Sequence, residues 1–99
     1  MKIIVQHTVR DYDAWKPAFD EHEPTRAKYG CKGHTIYRDP DDRNEVTVLT
    51  SWESREGAER FMQDPSLQTA MEKGGVISEP RVTLLKEAET CTYSARRAA

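Results

Sequence analysis

Two cysteines in 99 residues, Cys31 and Cys91, are too few for the disulfide framework of a small secreted domain. No apolar run approaches the ~18 residues that cross a bilayer, so no membrane-spanning segment is expected. Met1-Lys2 passes directly into Ile3-Ile4-Val5, without the apolar core or small-residue cleavage site of a secretory leader. Basic charge is short as well. Fifteen Lys and Arg against 17 Asp and Glu leave a net charge of −2, and a pI of about 5.9 denies the chain the positive field of a nucleic-acid or anionic-membrane surface. There is no G-x-S-x-G elbow, no glycine-rich phosphate loop, no dinucleotide fingerprint, and no CxxC, HxH or HExxH. The expectation is a cytoplasmic protein with no cofactor, no metal site, no nucleic acid and no membrane partner.

Apolar material is scarce too: 36% of residues are hydrophobic, 32% are charged, and the mean hydropathy is −0.84. The length leaves no room for a second domain, and small domains bury a low fraction of their surface. A partner subunit is expected to supply the missing burial.

Residues 2–9, KIIVQHTV, are β-branched and apolar and read as a strand. Asp11 and Asp13 offer N-caps to a helix on which Tyr12, Trp15, Phe19 and His22 recur at spacings of three and four, sharing one face. Pro17 is compatible with that helix only near its first turn, and Pro24 should kink or restart it. Tyr29-Gly30 ends it with a glycine suited to a left-handed cap. Residues 31–38 and 45–52 read as a hairpin around the polar turn Asp39-Pro40-Asp41-Asp42-Arg43-Asn44. Ser54 caps a helix with Phe61 and Met62 on its buried side; Asp64-Pro65 breaks it, and residues 66–73 continue as helix. Gly74-Gly75 is a stop, and residues 81–86 read as the last strand.

This order predicts an α+β class domain, a ferredoxin-like βαββαβ unit whose antiparallel sheet carries its helices on one face. The domain spans residues 1–88, with a tail over 89–99. Alternation puts Ile3, Val5, His7 and Val9 on one side of the first strand, and Val46, Val48, Thr50 and Trp52 on one side of the third. Ile4, Leu49 and Leu85 fall on the opposite sides of their strands. Both sheet faces therefore carry apolar groups, yet two short helical segments cover only one. The other needs a second sheet.

Two stretches resemble a known family. Val9-Arg10-Asp11-Tyr12-Asp13-Ala14-Trp15, leading into Phe19, resembles the first strand-to-helix passage of the dimeric α+β barrel superfamily. Val48-Leu49-Thr50-Ser51-Trp52-Glu53-Ser54, with Ala58, Phe61 and Asp64-Pro65-Ser66-Leu67, resembles the third strand and second helix of its antibiotic-biosynthesis monooxygenase-like domains. The likeness covers residues 2–86 and implies a dimeric α+β barrel with a pocket between sheet and helices. Such domains include cofactor-independent monooxygenases of polyketide quinones, haem-degrading enzymes, polyketide cyclases and isomerases, so the fold does not fix the reaction. Haem-degrading members carry an asparagine in the first strand, a tryptophan on the second helix and a ligating histidine after it. The matching positions here are His7, Phe61 and Met71, which rejects haem degradation.

The three histidines read either as satisfied core or edge residues or as acids, bases and ligands, since imidazole titrates near neutral pH. His7 alternates in phase with Ile3 and Val5, His22 shares the stripe of Trp15 and Phe19, and His34 lies in the second strand with Ile36 and Arg38. In the pocket implied by the resemblance, His7 and His22 would meet as the catalytic pair. Cys31 and His34 have ligand-like spacing, but an odd separation along a strand puts them on opposite faces. A metal on the three histidines is the weaker reading. Trp15, Phe19, His34, Tyr37, Trp52, Phe61 and Met71 are the expected substrate-binding residues, although aromatics at these spacings also read simply as core.

The expected protein is a homodimer that binds a small aromatic or polyketide-like molecule. By resemblance it is a cofactor-independent oxygenase with His7 or His22 as base. The alternatives are a cyclase or isomerase using the same base without oxygen, and a non-catalytic small-ligand-binding module. An RNA-recognition domain shares the topology, but residues 45–52 lack its aromatic stacking motif. In the tail, Cys91 and Tyr93 alternate with Thr90, Thr92 and Ser94 in a strand-like pattern. By resemblance the tail crosses to the partner with Tyr93 as its anchor. Asp39–Arg43 and Arg96-Arg97 read as solvated surface.

Overall fold

A computed structural model describes residues 1–94 of the chain. The β-branched runs form β1 (Lys2–Thr8), β2 (Cys31–Arg38), β3 (Glu45–Trp52) and β4 (Arg81–Leu85). They make one antiparallel sheet in the order β2-β3-β1-β4. Two helical connections cross it, and a proline divides each: α1 (Tyr12–Glu21) from α2 (Glu23–Lys28) at Pro24, and α3 (Arg55–Met62) from α4 (Pro65–Lys73) at Pro65. A proline in the first helical turn forfeits only an N–H that has no intrahelical partner there, so each break is also a start. The Asp11, Ser54 and Asp64 side chains accept from the backbone N–H of Asp13, Gly57 and Ser66, capping α1, α3 and α4. This is the expected ferredoxin-like α+β fold.

α1 runs straight through Pro17, against the expectation that this proline be confined to the first turn. An interior proline costs about 3 kcal/mol. The buried side chains of Trp15 and Ala18 on either side of it offset that loss. Gly30 ends the second segment at φ +96, as its sequence position requires. β1 stops at Thr8, and Val9 instead bridges to Val76.

All helices pack on the side of the sheet that carries the odd residues of β1. One core cluster joins Ile3 and Trp52 to Ala58 and Phe61, and a second joins Val9, Val46 and Val48 to Trp15. The opposite face holds the pairs Ile4↔Leu49, Lys2↔Leu85 and Tyr37↔Thr47. Among the described residues nothing covers it; Ile4 and Leu49 are half-buried, and Leu85 and Tyr37 are exposed.

The register of β2 shifts between Cys31, opposite Trp52, and Gly33, opposite Ser51. Lys32 is the extra residue of a β-bulge, and a bulge inverts the alternation that follows it. His34, opposite Thr50, therefore shares the helix side of the sheet with Cys31, correcting the expectation of opposite faces. No helix among the described residues is long and apolar enough to cross a membrane. Residues 86–94 follow β4 without regular structure, and Tyr93 is exposed. The strand-like pattern at 90–94 is not realised because strands need a hydrogen-bonded neighbour. Arg96-Arg97 and the end of the tail lie outside the described residues.

Gly57, in the first turn of α3, faces the Tyr29 carbonyl so closely that a Cβ would overlap its oxygen. Gly57→Ala should lower stability by about 1–3 kcal/mol, read as an earlier urea midpoint. Gly33→Ala, with open space around its Cβ, should change it by no more than about 0.5 kcal/mol.

Candidate functional site

The two core clusters do not close on each other. Between them lies a cavity of about 70 Å³, bounded by sheet residues Ile3, Val5, His7, Val48, Thr50 and Trp52. Trp15 and Phe19 of α1, Phe61 and Met62 of α3, and Leu67 and Met71 of α4 form the helical wall. His22 enters from the junction of α1 and α2, and Arg26 from α2 itself.

His7 is the polar group that β1 places deepest. It pairs with Val46, is 6% exposed, and its Nδ1 has no hydrogen-bond partner. Its ring stands edge-on to Trp15, 5.8 Å between centroids. Burial lowers its pKa from 6.5, against weaker opposite pulls from its own backbone and Glu45, so the imidazole is neutral at pH 7. In the neutral ring one of the two nitrogens is a proton acceptor, set beside an apolar cavity.

His22 caps α1 and meets Ser66 Oγ at 2.9 Å through Nε2. Burial and then Arg26 lower its pKa, while Asp64 pulls upward. Asp64 accepts from the Tyr29 hydroxyl at 2.5 Å and from the Ser66 backbone at 2.8 Å. The Tyr29 bond first, and then the bonds from Ser66, hold its carboxyl down at about 2. Thr50 Oγ1 accepts from the Trp52 indole N–H at 2.7 Å and donates to the Ile3 carbonyl at 3.3 Å, so that both groups are satisfied.

Arg26 is the least expected member. It is 3% exposed; Nη1 donates to the Phe19 carbonyl at 2.9 Å and the guanidinium lies 3.7 Å over the Phe19 ring. Nη2 has no partner.

Seven of the nine residues expected from the sequence thus surround one cavity: His7, His22, Trp15, Phe19, Trp52, Phe61 and Met71. Two do not reach it. Tyr37, opposite Thr47, projects from the uncovered sheet face and is 53% exposed. His34 is on the helix side, but β2 is an edge strand; the residue is exposed and its ring meets Phe19 edge-on, 4.9 Å between centroids. Arg26 and Thr50 were missed. The stripe Trp15, Phe19, His22 continues to Arg26 at a spacing of four, a signal that Pro24 obscured. No three His, Cys, Asp or Glu side chains converge as a metal site among the described residues.

The antibiotic biosynthesis monooxygenase family model matches residues 11–73. A Bordetella bronchiseptica protein provisionally named for the same family superposes with TM-score 0.76 at 16% identity, covering 89% of this chain and 96% of that one. A point variant of SnoaB, a cofactor-independent oxygenase from Streptomyces nogalater, gives 0.74 at 18% identity over 90% and 93%. A Mycobacterium tuberculosis protein gives 0.68 at 21% over 92% and 97%. No curated protein matches the chain in sequence.

Thr50→Val keeps the shape of the sheet but strands the buried Trp52 N–H. It should cost about 1–3 kcal/mol in denaturant unfolding. A second expectation concerns acid. Because His7 and His22 titrate below 6.5 in the folded state, the unfolded chain takes up protons first as pH falls. Stability should therefore decline below about pH 6.5 and level off once the folded imidazoles protonate. His7→Leu should flatten that decline, as measured by urea midpoints at about pH 7 and about pH 5.

Proposed function

The chain belongs to the antibiotic biosynthesis monooxygenase family, and from that premise we propose that it is a cofactor-independent oxygenase of a small aromatic or polyketide-like substrate, with His7 as base. The observation that carries this reading is the buried, neutral imidazole of His7, which borders a cavity walled by Trp15, Phe19, Trp52 and Phe61 and whose Nδ1 has no partner in the fold. An acidic C–H beside a carbonyl or phenol gives its proton to His7. The carbanion that remains transfers an electron to dioxygen, the two radicals combine to a peroxide anion that takes back the proton from His7, and the carbon's second hydrogen leaves with the peroxide OH as water to give the new carbonyl. The aromatic walls exclude water and hold the ring flat; His22, tied to Ser66, offers a second polar contact.

The cavity is small beside the ~300–1,000 Å³ of drug-sized ligand sites. A fused-ring substrate enters as Met62 and Met71 swing aside, for which their unbranched side chains are suited.

The test is an oxygen electrode with anthrone, which takes up one O2 per anthraquinone formed. His7→Asn should lose roughly 100- to 10,000-fold in kcat/KM, with the wild-type acid limb falling below pH 6.5. Uptake that survives His7→Asn would exclude His7 as base. Consumption of polyketide-like substrates without oxygen uptake would move the reading to cyclisation or isomerisation by the same base.

The same proposal includes a homodimer in which the uncovered sheet faces meet, burying Ile4, Leu49 and Leu85. Residues 1–88 form the folded unit, and the tail from residue 89 reaches the partner through Tyr93. Sedimentation at micromolar concentration should show a dimer. A stable folded species of 11.4 kDa would overturn it.

A further inference from the structure

The reaction proposed above makes no use of Arg26. Its guanidinium is always charged and cannot escape burial by shedding a proton as a lysine can. Cys31, then Glu23 and Asp20, lie near enough to act on it, but neither carboxylate forms an ion pair with it, and Asp20 is engaged by Lys16 at 2.6 Å. Among the described residues no carboxylate forms an ion pair with this cation. A buried charge with an unmatched donor destabilises a fold, and a well-packed apolar side chain in its place is often neutral or better. Retaining it has a reason if something else supplies the missing acceptor.

Its position says what that acceptor is attached to. The guanidinium lies on Phe19, Phe19 packs on Trp15 with ring centroids 4.9 Å apart, and Trp15 meets His7 at 5.8 Å. Arg26 and His7 therefore stand at the two ends of one aromatic row, and both border the same cavity. We propose that Arg26 is an anion-binding residue and that the site takes flat aromatic acids, the carboxylate accepting from Nη2 while the ring lies along Phe19 and Trp15 toward His7. The role of the His7 end rests on the oxygenase reading; the anion site rests on Arg26 alone. A carboxylate fits the vacant donor better than a neutral carbonyl because a charge-assisted bond is the stronger one, and it neutralises the buried cation.

The experiment is calorimetric titration of the full chain with benzoate and with benzamide, which share a shape and differ in charge. Benzoate should bind roughly tenfold tighter or better. In Arg26→Met, which preserves the stem and removes the charge, the preference should fall to within about twofold. Equal affinities in the wild type, a preference that survives Arg26→Met, or no benzoate binding at millimolar concentration would each overturn the proposal. Should Arg26→Met not fold, nitrogen-15 NMR of the wild type decides instead. The Arg26 guanidinium resonance should move on addition of benzoate and stay still with benzamide; an unmoved resonance in both overturns the proposal. No turnover enters either measurement, so a chain that consumes no oxygen still passes or fails it.

Discussion

Pairing Ile3 with Thr50, Val5 with Val48 and His7 with Val46 places an unbroken row of core side chains on one face of two central strands. Every other feature of the molecule depends on that register. A slip of β1 by one residue would carry its half of that row, His7 included, to the uncovered face and present Ile4 and Gln6 to the helices. The hairpin turn before Glu45 and the Val9–Val76 bridge bracket the pairing at one end, and the backbone bond from Trp52 to the Met1 carbonyl closes the other. The helices then meet a surface that is already decided.

Polar groups inside that layer fall into two kinds. Thr50 and the Trp52 indole satisfy each other, and such a pair rigidifies a core without asking anything of solvent. His7 Nδ1 and Arg26 Nη2 are left without partners in an enclosure that otherwise keeps its hydrogen bonds. Native folds satisfy nearly all buried donors and acceptors. Both exceptions border one cavity, a neutral imidazole at one end of an aromatic row and a guanidinium at the other.

Most of the fold was legible because its signals are short-range. Alternation located His7, and the three-four spacing located Trp15, Phe19 and His22 before any tertiary contact was known. What escaped needed either a discontinuity or a neighbour. The bulge at Lys32 inverts the parity of Cys31 and His34, and its one signal in CKGH is Gly33, an isolated glycine inside a strand pattern. Arg26 was hidden because EPTRAK reads as surface once Pro24 is taken as a break. The stripe in fact passes through the break, since Pro24 only restarts the helix. Tyr37 was misplaced for the opposite reason: its alternation with Ile36 already assigned it to the far face.

The chain has only two tryptophans, and both line the cavity, one from each core cluster. Trp52 is pinned through its indole N–H to Thr50, whereas Trp15 lies edge-on to the imidazole of His7. Tryptophan emission, excited apart from that of the four tyrosines, therefore originates wholly at the site. An occupant of the cavity must report itself in that light, and a proton arriving on His7 must dim the Trp15 component and spare that of Trp52.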